Sequence, residues 1–372
     1  MAESEPTNVK RKQERFPCPG CGADLVFDPK NNCLTCPYCG RQEPIPATEG
    51  RVEERSYEAY LQAGAAEMGT LAANAVEVTC SQCGATVSFT PPEVAGECSF
   101  CGATMVAQPK AADPLVAPEA VLPFGIPPPQ ANAALKQWLS SRWFAPNALK
   151  RLAYQESMSG VYLPFWTYDA QTESSYTGER GEHYYETETY TEQDDQGNTV
   201  TRTRQVQRTH WYPASGYVTR AFDDILIPAT RSLSRARLTA LEPWDLEALN
   251  PYEPAYLSGF KAQRYQVELP AGFEEAKQVM AGVIDGAVRN DIGGDEQRVH
   301  NIDTSYSDIT FKHILLPVYL AAYRFNQKVF QVMINARTGE VQGDRPYSFW
   351  KIFFFVLFWI AVIVLIVLLK KH

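Results

Sequence analysis

The alternation of apolar and polar positions divides the chain into regions. Residues 352–369, IFFFVLFWIAVIVLIVLL, carry no polar side chain. As a helix they span about 27 Å, close to the ~30 Å hydrocarbon core of a bilayer. Phe349, Trp350 and Lys351 extend the run at one end, and Lys370, Lys371 and His372 close it at the other. Tryptophan and snorkelling lysines suit headgroup level, and core helices rarely run this long without a polar residue. A membrane-spanning helix is therefore expected over 349–369. Upstream, Phe273, Ala276, Val279, Met280, Val283, Ile284 and Val288 share one helical stripe, predicting a helix over 272–290. Shorter helices are predicted over 130–142, with Leu135, Trp138 and Leu139 on one face, and over 232–241. Strands are predicted over 160–169, 217–227, 259–269, 308–325 (broken at Pro317) and 328–335.

Residues 171–213 are strand-like yet polar on both faces. Glu179, Glu182, Glu186, Glu188 and Glu192 lie on the ascending half, Arg202, Arg204 and Arg208 on the descending half, and Asp194-Asp195-Gln196-Gly197-Asn198 forms the turn. Folding there sets acid opposite base, which favours pairing by about 0.2–1 kcal/mol per opposed pair. A long hairpin projecting from the body is expected, either as a solvated ornament or as an arm that binds a partner. Prolines at 109, 114, 118, 123, 127, 128 and 129 predict a semi-rigid linker, with 121–126 available to a sheet edge. Residues 51–74 read as a helical spacer. The fold class is α+β.

Composition narrows the function. The chain has 372 residues, 45% hydrophobic and 12% aromatic, enough for a sizeable core in two or three domains. Its net charge of −9 argues against binding nucleic acid through phosphates. All nine cysteines lie between Cys18 and Cys101, which excludes a disulfide scaffold.

The cysteines form a repeat. Cys18-Pro-Gly-Cys21 and Cys36-Pro-Tyr-Cys39 are matched, 62 positions later, by Cys80-Ser-Gln-Cys83 and Cys98-Ser-Phe-Cys101. Gly22/Gly84, Ala23/Ala85, Leu25/Val87, Phe27/Phe89, Pro29/Pro91 and Gly40/Gly102 match at the same offset. Two thiolates three residues apart on a tight turn converge on one ion, and four make a closed tetrahedral site. The pattern is a duplicated zinc ribbon with two structural Zn²⁺, ligated by Cys18, Cys21, Cys36 and Cys39 and by Cys80, Cys83, Cys98 and Cys101. A rubredoxin-like iron site would need a larger protective core, and a thioredoxin-like pair a single CxxC opening a helix. Cys33 has Ala95 as its counterpart and is read as a spare thiol.

Ribbons often bind nucleic acid, but residues 76–107 carry Glu77, Glu93 and Glu97 with no lysine or arginine, and four thiolates around zinc add a further −2. In the first ribbon Lys30 and Arg41 face Asp24, Asp28 and Glu43, and only Lys10-Arg11-Lys12 with Arg15 forms a basic cluster. Protein contact is the better use. Leu25, Phe27, Val87 and Phe89 are apolar tip candidates. Tyr38 and Phe100, inside the knuckles, are the expected partner contacts. Catalysis is not expected. His183, His210, His300 and His313 are widely spaced, no HExxH, GxSxG or phosphate-cradling loop occurs, and Asp223-Asp224 and Asp194-Asp195 read as turn or strand-edge residues rather than acid/base dyads. The first 15 residues contain no export signal, so residues 1–345 are expected in the cytosol on a single-pass anchor.

The CPxCG knuckles, the Leu-Pro-x-aromatic strands at 163–166 and 316–319, and the closing Asn335-Ala-Arg-Thr-Gly-Glu-Val341 before a membrane span resemble a family of bacterial TFIIB-type zinc-ribbon membrane proteins, sometimes labelled primosomal helicase-like. No Walker motif is present, so the helicase label implies nothing here. The resemblance implies an adaptor working with SPFH-domain or phage-shock-type membrane-stress proteins. The expected organisation is a flexible tail (1–15), ribbon one (16–46), spacer (47–75), ribbon two (76–107), Pro-rich linker (108–130), α+β body (131–345) and membrane helix (349–369). The rival expectation is a membrane-tethered nucleic-acid-binding regulator.

Overall fold

The computed structural model describes residues 16–45, 52–63, 68–69, 76–89, 95–101, 103–106, 110–111, 115–144, 146, 158–193, 199–325, 328–344 and 347–371. The basic cluster at 10–15 and the turn at 194–198 lie outside the described residues.

The fold is α+β, with four-cysteine hairpin modules first and one apolar helix last. Three strands carry the body: β1 (Ser159–Gln193), β2 (Thr199–Pro228) and β3 (Glu296–Phe325). β1 pairs antiparallel with β2 along one edge and with β3 along the other, from Ser159↔Leu320 to Gly181↔Glu296. β4 (Lys328–Asn335) extends the sheet beyond β3, pairing Val318 with Asn335 and Phe325 with Lys328. The polar hairpin is thus the outer half of strands that begin in the core, where β1 is buried from Val161 to Tyr168.

Inward and outward residues of these strands feed two cores. Tyr162, Trp166, Tyr168, Leu315 and Tyr319 belong to one; Val161, Leu163, Phe165, Ile314, Leu316 and Val318 belong to the other. Period-two alternation places these sets on opposite faces. The sheet is therefore the middle layer of three.

Four longer helices, α1 (Tyr57–Ala63), α2 (Pro128–Ser140), α3 (Leu269–Ile292) and α4 (Phe349–Lys371), complete the frame, and the helix expected over 232–241 forms at Arg235–Thr239. α3 covers the inner stretch of the arm on one face, burying Phe273, Ala276, Met280, Ile284 and Val288. Val279 and Val283, expected on that stripe, are exposed. The buried seam takes one side of the apolar arc, and Ala287 completes it instead. α4 has none of its apolar window buried within the protein and is long enough to cross a membrane.

Several boundaries differ from expectation. The strand over 259–269 shrinks to Lys261–Gln263 because Leu269-Pro270 opens α3, and proline is pre-set for a first helical turn. Pro317 does not break β3. It lies opposite Tyr162, and its carbonyl accepts the Ala336 amide, so one missing N–H leaves the ladder intact. The proline-rich stretch is more than a linker. Ala120–Val121 inserts between Ile314–Leu315 of β3 and Asn250–Pro251, and residues 120–122 and Phe124 are buried. Its prolines fall outside the paired dipeptide, and Pro128 begins α2. Among its described residues the spacer is helical only at α1. Arg55–Ser56, just before it, joins β3 opposite Thr310 and Phe311.

Candidate metal centres

Each knuckle is built by the same main-chain pattern. The first cysteine's amide donates to the carbonyl five residues on: Cys18 to Ala23, Cys36 to Arg41, Cys80 to Ala85 and Cys98 to Ala103, at 2.7–2.9 Å. Gly22, Gly40 and Gly84 return their amides to the first cysteine's carbonyl at φ of 71–76°, a region glycine enters without steric penalty. The turn also aims amides at sulfur, as with Gly20 N at 3.4 Å from Cys18 Sγ.

The hairpins then bring two knuckles together. Cys18 and Cys39 sulfurs lie 3.5 Å apart, Cys21 and Cys36 3.4 Å, Cys80 and Cys101 3.6 Å, and Cys83 and Cys98 3.7 Å. In both sets all four sulfurs fall within 4.8 Å of one another. A Zn–S length of about 2.3 Å requires a tetrahedral S···S edge of about 3.8 Å. Both donor sets fit that ion. In ribbon one, the Cys39 amide, set against burial and joined by the Tyr38 amide, lowers the Cys36 thiol to about 6. In ribbon two, burial, set against the Phe100 and Cys101 amides, raises the Cys98 thiol to about 11. Four adjacent thiols cannot all ionise alone, and a divalent cation supplies the charge that lets them do so. The Cys33 sulfur neighbours Thr35 Oγ1 at 3.7 Å and belongs to neither set.

Both modules are fused to the body, on opposite faces of the sheet. Leu25, Phe27 and Leu34 of the first join one core; Val78, Val87 and Phe100 of the second join the other. The Phe27 amide donates to Ser258 O at 3.0 Å, and Gly259, at φ 85°, passes so close to Val26 that an added Cβ would lie 3.0 Å from its side chain. In the second module, strand Thr86–Phe89 pairs with Lys261–Gln263 and so enters the main sheet. Lys261 Nζ donates to Ser99 Oγ at 3.4 Å, and Gln331 Nε2 donates to the Phe100 carbonyl.

This arrangement corrects one expectation. Phe100 is 1% exposed and packs in the body core, so it is no exposed knuckle contact. The aromatic turns inward because its knuckle packs into the body core, where Gln331 holds the Phe100 carbonyl. Tyr38, in the matching knuckle, is 83% exposed. The body residues that receive the modules were not legible in the sequence. Ser258-Gly259, a turn pair between Leu257 and Phe260, is a local signal, while Gln331 lies 231 residues from Phe100.

A third group of metal-capable donors, Glu54, Asp169 and Asp223, lies at the base of the arm. Lys312 Nζ already stands beside it, 2.9 Å from Glu54 and 2.7 Å from Asp224, and supplies the positive charge from the protein itself.

The chain is similar to the Bacillus subtilis (strain 168) protein described as uncharacterized protein YdjG, with 25% identity over 334 residues, covering 90% of each chain. No protein-family profile matches. No solved structure matches either.

Proposed function

We propose that this chain is a membrane-anchored, cytosol-facing adaptor in which two structural zinc ions brace the body while the arm recruits protein partners. The observation that carries the reading is the outer arm. Beyond Gly181, where Glu296 is the last β3 residue paired, only β1 and β2 continue among the described residues, and Tyr184, Tyr185 and Tyr190 stand exposed there. The charges around them are paired internally: Glu188 with Arg204 and Arg208, and Glu192 with Arg202. Rows of rigid tyrosine on a two-sided ribbon suit protein recognition, where aromatics give contact area at low entropic cost. Leu25, Phe27, Val87 and Phe100 of the ribbons support the same choice, since the body covers them. SPFH-domain or phage-shock-type proteins are the partners that the family resemblance implies.

The test is crosslinking and mass spectrometry from intact membranes with the wild type and with Tyr184, Tyr185 and Tyr190 changed to serine. The wild type is expected to capture a membrane-associated protein and the triple variant to lose it while keeping its metal. Equal capture by both defeats the arm as the recruiting surface. Protease added to right-side-out vesicles is expected to spare the body; digestion of the ribbons there would reverse the orientation. Salt-sensitive binding of DNA or RNA by the arm would favour the tethered regulator instead.

A further inference from the structure

We infer that the turn following α2, carrying Trp143 and Phe144, is a second membrane element that dips into the cytosol-side leaflet beside the spanning helix. The inference rests on the membrane-anchored reading and on four contacts. The Phe144 ring meets the Phe355 ring edge-on, centroids 5.3 Å apart at 85°. The Ser348 amide donates to the Phe144 carbonyl at 2.8 Å. Lys351 Nζ donates to the Trp143 carbonyl at 3.1 Å. The Ser348 carbonyl in turn accepts the Ile352 amide at 3.1 Å, which joins the turn to the first turn of α4.

Depth follows from length. The run from Ile352 to Leu369 is about 27 Å as a helix, against a hydrocarbon core of ~30 Å. No residue is spare, so Ile352 lies at the edge of the hydrocarbon and Phe355 roughly 4.5 Å inside it. A ring packed against Phe355 shares that depth. Phe144 is therefore among acyl chains, and Trp143 is at the interface.

The polar groups of the turn agree with such a place. Backbone carbonyls entering lipid need partners, and both carbonyls here are engaged by residues at the start of α4. Trp143 is 73% exposed, and Tyr347, Phe349 and Trp350, which flank the Ser348 and Lys351 that bond the turn, are exposed as well, as the aromatics of a headgroup belt are. Arg142 stacks its guanidinium on Trp138 at 5.2 Å, on the α2 side of the turn, which sets a positive charge at the headgroups. In water this turn would display a tryptophan with no cover. Against a bilayer, the lipid covers it.

The experiment uses the full chain in phosphatidylcholine–phosphatidylglycerol vesicles, with and without bromine on the upper acyl chain, a short-range quencher of tryptophan emission. The wild-type-minus-W143F difference spectrum isolates Trp143, and the wild-type-minus-W359F spectrum isolates a tryptophan within the span. Brominated lipid is expected to remove most of the Trp143 difference signal and to leave it insensitive to aqueous iodide. Quenching of Trp359 without Trp143 overturns the dipping turn but keeps the span. Quenching of neither overturns both. A Trp143 signal quenched only by iodide places the turn in water, and one quenched by neither agent places it against protein; each rejects the inference. If W143F does not incorporate, F144W provides the second readout, as its added emission is expected to be lost to brominated lipid.

Discussion

The Phe27 ring of the first four-cysteine module meets the Tyr256 ring of the body edge-on, centroids 5.4 Å apart at 66°. Phe260 flanks the same ring at 6.3 Å, and Phe27 itself is 3% exposed. This aromatic clamp holds the module against the body. Phe27→Ala removes a buried aromatic, so a loss of about 3–5 kcal/mol is expected. Thermal melting of the detergent-solubilised chain would measure it, and proteolysis between ribbon and α1 would show the module released. Metal content should persist, because the thiols stand apart from the clamp.

Elemental analysis of the purified chain should return two zinc ions, one for each set of four cysteines. Cys36→Ser should lower the count by one, while Cys33→Ser should leave it unchanged. Chelation should destabilise the body as well as the modules, because strand Thr86–Phe89 is a rung of the main sheet. A body whose melting ignores chelator would contradict that coupling.

Two glycines of one helix should respond with opposite signs. At Gly272 an added Cβ would lie 2.4 Å from the Tyr168 hydroxyl and 2.9 Å from Trp166. Tyr168 cannot yield cheaply, since its hydroxyl is bonded to Leu269 O at 2.7 Å. Overpacking of about 1–3 kcal/mol should outweigh the ~1 kcal/mol gain in helix propensity, so Gly272→Ala should destabilise. At Gly282 nothing lies within 4 Å, and Gly282→Ala should stabilise by about 0.4–1 kcal/mol. Denaturant midpoints compare the two directly.

His313 makes stability depend on acidity. Burial, with Arg55 nearby, lowers its imidazole to about 4, and it is 1% exposed between Trp166 and Tyr265. Nδ1 bonds Val116 O at 2.7 Å, while Nε2 has no partner to share a proton. The folded value lies below the unfolded value of about 6.5, so between the two the unfolded chain binds more protons. Stability is therefore complete above about pH 6.5 and falls as pH drops toward 4, by on the order of 3 kcal/mol. His313→Asn keeps a donor for Val116 and does not titrate. The difference in denaturation midpoint between wild type and variant, followed from pH 7 to 4, should change by about one proton's worth of slope.

The sequence announced what is local or periodic. The knuckles were legible because four CxxC pairs at one offset have a single chemical use, and the 328–335 strand matches Lys328–Asn335. The helix long and apolar enough to cross a membrane was legible from the length of its unbroken apolar run. Docking was not. Alternation marks Leu25, Phe27 and Val87, and the knuckle position marks Phe100, without saying whether a partner or the chain's own body covers them, and here the body does. The stripe on α3 misplaced Val279 and Val283 because periodicity gives an arc but not its centre. The third arm strand was missed over 296–307, where polar residues on both faces mimic a loop.

The continuous ladder between β1 and β3 gives the molecule a mechanical character. Their hydrogen bonds lie across the strands, so a pull along the arm loads many rungs side by side and does not peel them one at a time. Force on the tip is delivered with little slack to Val161–Leu163 and Leu315–Val318. Those segments lie between the two four-cysteine modules, one on each face. The two candidate metal centres thus sit like the jaws of a vice around the root of a lever, and a tug on its tip is carried to strands that pack against both.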